Sequence, residues 1–141
     1  QGLGDIFSIR IAGNFANQDI LGSMEFACNV AGSKLVVVLG HTKCGALKGG
    51  LDAPQIEGLG MDNLNHLIYH FEPCIHEVIK EGEERSSKNE DLLERLNVCN
   101  IKSTINDIRH QSSTLRNLEK EGKIMIVGAN YDVETGVVTW L

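Results

Sequence analysis

The chain has 141 residues, 42% of them apolar and 23% charged, the profile of one soluble globular domain and not of a disordered chain. Nineteen acidic against 13 basic side chains give a formal net charge of −6. With no basic block, this argues against nucleic acid or an anionic membrane as partner, and no aliphatic run approaches the length of a membrane span.

Residues 1–10 show neither the basic stretch nor the apolar core of a secretory signal. Asp5 to Ala12 carries Ile6, Phe7, Ile9 and Ile11 and ends at Gly13-Asn14, which predicts a strand running into a turn. Asp19 is placed to cap a helix with Ile20, Leu21, Met24, Ala27, Cys28 and Ala31 on one face, ended by Gly32. Lys34 to Leu39 is a β-branched run without alternation, as expected of a strand buried on both faces. Strand, helix and strand in this order make a βαβ unit, hence a parallel sheet.

Gly40 to Ala46 leads into a further helix. Asp62 to Lys80 predicts one or two helices, with Pro73 at a break or in the first turn of the second. Residues 81–90 are polar and aperiodic, an exposed connection in which Glu83-Glu84-Arg85 reads as solvated. Leu92, Leu93, Leu96, Ile101, Ile105 and Ile108 mark a long helix, and a shorter one from Ser113 to Lys120 stops at Gly122. Lys123 to Ala129 reads as a buried strand, and Tyr131 to Trp140 as a strand pair turning at Glu134-Thr135-Gly136. The fold class is α/β in three layers: a mostly parallel β-sheet, helices on both faces and a C-terminal β-hairpin, in a single domain over residues 1–141.

The cysteines, Cys28, Cys44, Cys74 and Cys99, are well separated and read as reduced thiols of a cytoplasmic protein, with a metal ligand among them, rather than as a disulfide framework. The strongest chemical signal is His41-x-x-Cys44 just past a buried parallel strand, the sheet edge where α/β proteins bind ligands. Imidazole nitrogen and thiolate sulfur suit tetrahedral zinc. A helix N-terminus favours thiolate at Cys44, and Gly45 lets a backbone N–H approach a bound anion. Taken alone, the spacing is equally that of a buried His and Cys serving only the turn.

The run Gly40-His41-Thr42-Lys43-Cys44-Gly45-Ala46 resembles the GH(T/S)xCGA motif of the β-class carbonic anhydrases. Gln1-Gly2-Leu3-Gly4-Asp5-Ile6-Phe7 with Arg10-Ile11-Ala12-Gly13-Asn14, Ser23-Met24-Glu25-Phe26, and Gly128-Ala129-Asn130-Tyr131-Asp132 with Thr135, Gly136 and Val138 resemble further family stretches, in order along the chain. The resemblance implies a zinc hydro-lyase interconverting CO2 and bicarbonate, with two Cys and one His on the metal and water or hydroxide in the fourth position. It makes His41 and Cys44 two metal ligands. It gives Gln1 a hydrogen bond to bound substrate or product and sets the Gly45 backbone near the zinc-bound oxygen. It also implies a homodimer or dimer of dimers with active sites at the subunit interface.

One departure bears on the site. The family has a Cys-x-Asp-x-Arg segment on a strand between those matching Asp5–Ala12 and Lys34–Leu39, and its Cys is the third ligand; that segment precedes the position of Gln1. The expectation is a longer protein that supplies it. The alternatives are a non-catalytic binding or assembly domain, or a carbonyl sulfide or carbon disulfide hydrolase on the same fold. Cys28, Cys74 and Cys99 read as core residues before stand-in ligands. His66, His70 and Cys74, at i, i+4 and i+8, read as partly exposed histidines and a core thiol before a second metal site. His76 and His110 read as surface residues, Arg10 equally as a site contact or half of an ion pair, and Tyr131 and Trp140 as packing residues.

Overall fold

The computed structural model describes residues 2–56, 58 and 60–141. Their elements, in chain order, are α1 (Gln18–Asn29), β1 (Leu35–His41), α2 (Gly45–Leu51), α3 (Ala53–Ile56), α4 (Asp62–Tyr69), α5 (Glu72–Val78), α6 (Glu90–Gln111), α7 (Ser113–Lys120), β2 (Met125–Tyr131) and β3 (Val138–Trp140). The sheet order is β1-β2-β3. β1 and β2 run parallel from Leu35↔Met125 to His41↔Tyr131, and β3 returns antiparallel on β2. The α/β class, the parallel pairing and the C-terminal hairpin are as expected from sequence.

Helix ends follow side-chain chemistry. Asn17, not Asp19, caps α1: its Oδ1 accepts the Ile20 N–H at 3.0 Å. Asp19 lies in the first turn, where the helix dipole favours a carboxylate. Asn89 caps α6 through the Leu92 N–H, and Ser112 caps α7 through the Leu115 N–H. Pro73 falls in the first turn of α5, where its missing N–H costs no helix bond.

Two clusters form the core. Leu21, Val38, Ile101, Ile108, Leu115 and Ile126 join α1, α6 and α7 to one face of the sheet. Leu47, Leu51, Phe71, Ile75, Leu92 and Leu96 join α2, α5 and α6. Two strand glycines let α6 lie close. A Cβ on Gly40 would fall 2.5 Å from Asn97 Oδ1 and 2.6 Å from Ile101 Cδ1, and one on Gly128 would fall 2.7 Å from Ile101 Cγ2.

Four expectations are corrected. Asp5–Ala12 forms no strand. Its alternating Ile and Phe residues have the right pattern, but a strand is stable only against a hydrogen-bonded partner, and among the described residues none lies beside it. Ile6 and Phe7 remain exposed, Phe7 against Phe26 of α1. β1 is buried on one face only: Val38 is in the core, whereas Leu35, Val37 and Leu39 are 50%, 39% and 47% exposed. The described helices accordingly supply one of the two helical layers expected. Cys74 and Cys99 are not reduced thiols but a disulfide joining α5 to α6, with Cα atoms 5.8 Å apart; helix packing brings together positions 25 apart in sequence, which spacing alone does not disclose. Trp140 is no packing residue, being 61% exposed on the short edge strand β3.

The connection before α6 is also more than a solvated loop. Arg85 donates from Nε to the Leu51 carbonyl at 3.1 Å and from Nη2 to the Gly50 carbonyl at 2.6 Å, and it pairs with Glu72 of α5. The Ser87 N–H donates to Asp52 at 2.9 Å. The last carbonyls of α2 thus receive a guanidinium where the helix dipole favours a cation.

Candidate metal centre

The carboxyl ends of β1 and β2 lie side by side, and the chain leaves β1 through Thr42-Lys43 into α2. Lys43 takes φ +58°, a conformation that non-glycine residues seldom adopt and that clusters at functional sites. This bend sets Cys44 at the N-cap of α2, three residues past His41. Cys44 is buried against the α2–α6 core, and His41 is half-buried at the strand end.

Thr42 fastens the bend to the C-terminal hairpin at two points. Its N–H donates to the Tyr131 carbonyl at 2.9 Å, and its hydroxyl accepts the Val133 N–H at 3.0 Å. Lys43 adds an exposed ion pair with Glu134, a contact of small energetic weight. Across the turn, Asp132 Oδ1 accepts the N–H groups of Glu134 and Thr135. These bonds hold the Asp132 carboxyl below its usual range, with the proximity of Lys43 a lesser cause.

The imidazole of His41 is oriented by the same residue. Its Nδ1 lies 2.9 Å from the Thr42 carbonyl. A carbonyl only accepts, so in the neutral ring Nδ1 carries the proton and Nε2 keeps its lone pair. That is the arrangement of a metal-ligating histidine with its second nitrogen held by backbone. Gly45, the first residue of α2, is exposed, and a Cβ there would meet nothing within 4 Å. Its N–H makes no hydrogen bond among the described residues, leaving a donor at the helix start.

Behind the site, α6 contributes a polar layer. Asn97 Nδ2 donates to Asn130 Oδ1 at 2.8 Å, beside the β2 end, and Asn100 Nδ2 donates to the Gly13 carbonyl at 2.8 Å. Gly13, at φ +79°, sits against Phe71, where a Cβ would lie 2.2 Å from Cζ. The Gly13-Asn14 turn is thereby held under α2. Sequence reasoning missed this asparagine layer; its signal was two Asn on the apolar stripe of a long helix.

An imidazole nitrogen and a thiol sulfur are the donor types zinc takes, so His41 and Cys44 suit the metal as a partial set. Among the described residues, no third His, Cys, Asp or Glu groups with them. Gln1 lies outside the described residues. Cys28 is buried in the core, where burial pushes its thiol pKa up, and Cys74 and Cys99 are spent on each other. The His66–His70–Cys74 stack does not form, because α4 ends before Pro73 and Cys74 is in the disulfide. His70 instead stacks on Phe15, with ring centroids 4.1 Å apart, and meets His66 edge-on. Arg10 is exposed and makes no ion pair among the described residues, and His76 lies 3.6 Å from Glu72.

A family model described as carbonic anhydrase matches residues 1–138. The chain is 29% identical to carbonic anhydrase 2 of Mycobacterium tuberculosis, over 96% of this chain and 62% of that protein. It is 30% identical to a carbonic anhydrase of Mycolicibacterium smegmatis, over 98% and 64%. A carbon disulfide hydrolase of Acidithiobacillus thiooxidans is 35% identical over 45% of this chain and 30% of its own length. Among solved structures, the β-carbonic anhydrase CcaA superposes with a TM-score of 0.85 at 25% identity, covering 99% of this chain and 64% of that one. The tetrameric β-carbonic anhydrases of Sordaria macrospora include a chain with a TM-score of 0.82 at 20% identity, covering 99% and 70%. The chain spans 62–64% of the length of the mycobacterial relatives it matches.

Proposed function

The chain belongs to the β-carbonic anhydrase family, and from that premise we propose that it forms the metal-binding core of a zinc-dependent enzyme hydrating CO2 to bicarbonate and a proton. The observation carrying this reading is the His41 tautomer fixed by the Thr42 carbonyl, which leaves Nε2 free three residues from the buried thiol of Cys44. His41 and Cys44 would hold the zinc. Bound there, zinc supplies a Lewis acid that brings the pKa of water to about 7. Thr42 keeps His41 in its ligating tautomer and ties the bend to the hairpin. The Gly45 N–H is a donor for an anionic oxygen of the product, and Gln1 is assigned a hydrogen bond to substrate or bicarbonate.

The third ligand would come from a segment outside the described residues, seated as a strand along the free edge of β1. Two features support this. β1 ends the sheet, and Asp5–Ala12 has a strand pattern with no partner strand among the described residues. Assembly as a homodimer or dimer of dimers, and a cytoplasmic location, belong to the same proposal; among the described residues, no helix is long and apolar enough to cross a membrane. The test is CO2 hydration by the full-length protein, followed by stopped flow with a pH indicator, alongside its zinc content. The expected result is hydration that disappears in Cys44→Ser; a zinc-free, inactive full-length protein would overturn the reading.

Two other readings stand beside this one. A non-catalytic binding or assembly domain would show as a full-length protein that holds no zinc and hydrates no CO2. The carbon disulfide hydrolase relative favours a hydrolase of carbon disulfide or carbonyl sulfide using the same ligands. Zinc at the site with sulfide release from carbon disulfide, but no CO2 hydration, would decide for the latter.

A further inference from the structure

Cys74 and Cys99 play no part in the metal centre, yet they join the two helices that frame it from behind. Cys74 is 5% exposed in the α2–α5–α6 core. Cys99 is half-buried and lines a surface groove with Val78, Lys80, Asp91, Arg95 and Lys102. Cys99 is therefore the residue of the pair that faces solvent, and Cys74 the buried one. Two residues before Cys74 on the same helix, Glu72 receives Arg85, at 3.0 Å from Nη1. Arg85 in turn donates to the Gly50 and Leu51 carbonyls that end α2, and α2 begins beside Cys44. A continuous chain of contacts runs from the disulfide through α5, Glu72 and Arg85 to α2.

We propose that Cys74 and Cys99 are a reversible redox-modification site, a dithiol–disulfide couple whose state is transmitted to α2 through Glu72 and Arg85. The inference is independent of the zinc reading. The reductant is a dithiol. One of its thiolates attacks the Cys99 sulfur, the S–S bond breaks, and Cys74 leaves as a thiolate that takes a proton from water. The second thiol of the reductant, as thiolate, then attacks the mixed disulfide and expels Cys99, which is also protonated. The reductant ends as a disulfide, and two electrons and two protons have passed to the pair. Cys74 is buried between the packed helices, so exchange proceeds as α5 loosens from α6. That same loosening releases Glu72 from its position beside Arg85.

The test uses the full-length protein equilibrated in mixtures of reduced and oxidised dithiothreitol across a range of redox ratios. Free thiols are then trapped with an alkylating agent and located by mass spectrometry, and backbone hydrogen exchange is measured on the two end states. The expected result is a two-electron transition at Cys74 and Cys99, with amide exchange in residues 45–51 about tenfold faster in the reduced state. Cys99→Ser should exchange like the reduced protein in every buffer. A pair that stays alkylated, or stays oxidised, at every ratio overturns the proposal. So does unchanged exchange in residues 45–51, or a redox response that persists there in Cys99→Ser.

Discussion

Thr42 organises the site although it carries no metal-ligating atom. Its carbonyl fixes the His41 tautomer, and its N–H and hydroxyl fasten the bend to the hairpin. Thr42→Val keeps the backbone bonds and removes the hydroxyl. It should cost about 1 kcal/mol of stability while weakening zinc binding about tenfold, measured by competition with a chromophoric chelator. His70 makes a prediction about pH. Burial beside Phe15 and then the nearby His66 push its pKa below the ordinary 6.5. The unfolded chain then binds a proton more readily than the folded one, so this contribution to stability is complete above pH 6.5 and is lost as pH falls through the folded value. Urea midpoints measured from pH 7.5 to 5 should fall in the parent and flatten in His70→Asn; equal slopes would show that His70 does not carry the effect. Glu83 and Glu119, whose pKa values lie below the ordinary 4.5, Glu119 chiefly through its hydrogen bond with Arg109, act with the same sign but only at lower pH.

At the scale of elements, close approach and capping decide what is fragile. Gly40→Ala would drive a Cβ into Asn97 and Ile101 and should cost about 1–3 kcal/mol, read by urea unfolding, with the α6–β1 spacing widened beneath His41. Arg85→Ala leaves the last α2 carbonyls without their guanidinium and Glu72 without its partner. It should cost about 2 kcal/mol, with faster amide exchange concentrated in α2. Most helices were legible because apolar periodicity and cap residues are local: the stripe from Leu92 to Ile108 and Pro73 in the first turn of α5 needed no tertiary information. Arg85 was not legible, because its partners Glu72, Gly50 and Leu51 lie 13 to 35 residues away. Asp5–Ala12 was misread because alternation reports a face to be buried, not the presence of a strand to bury it. The positions of His41 at the end of β1 and Cys44 at the start of α2 were legible from the run of residues before and after them. The role of Thr42 was hidden because it acts through its backbone and through a hairpin 91 residues downstream.

At the scale of the molecule, the sheet is finished on one side only. Val36, Val38 and Ile126 face the helices, while Leu35, Val37, Leu39 and Met125 present an apolar surface that soluble chains ordinarily cover. The free edge of β1 adjoins the strand end carrying His41, so on the proposed reading a strand laid along that edge would bring a third ligand to the site, and zinc binding would report whether it is there. The most direct measurement is zinc per chain in the purified full-length protein, for the parent and for His41→Ala and Cys44→Ser. Close to one zinc is expected in the parent and close to none in either variant. A zinc-free parent, or variants that retain the metal, would contradict the zinc reading.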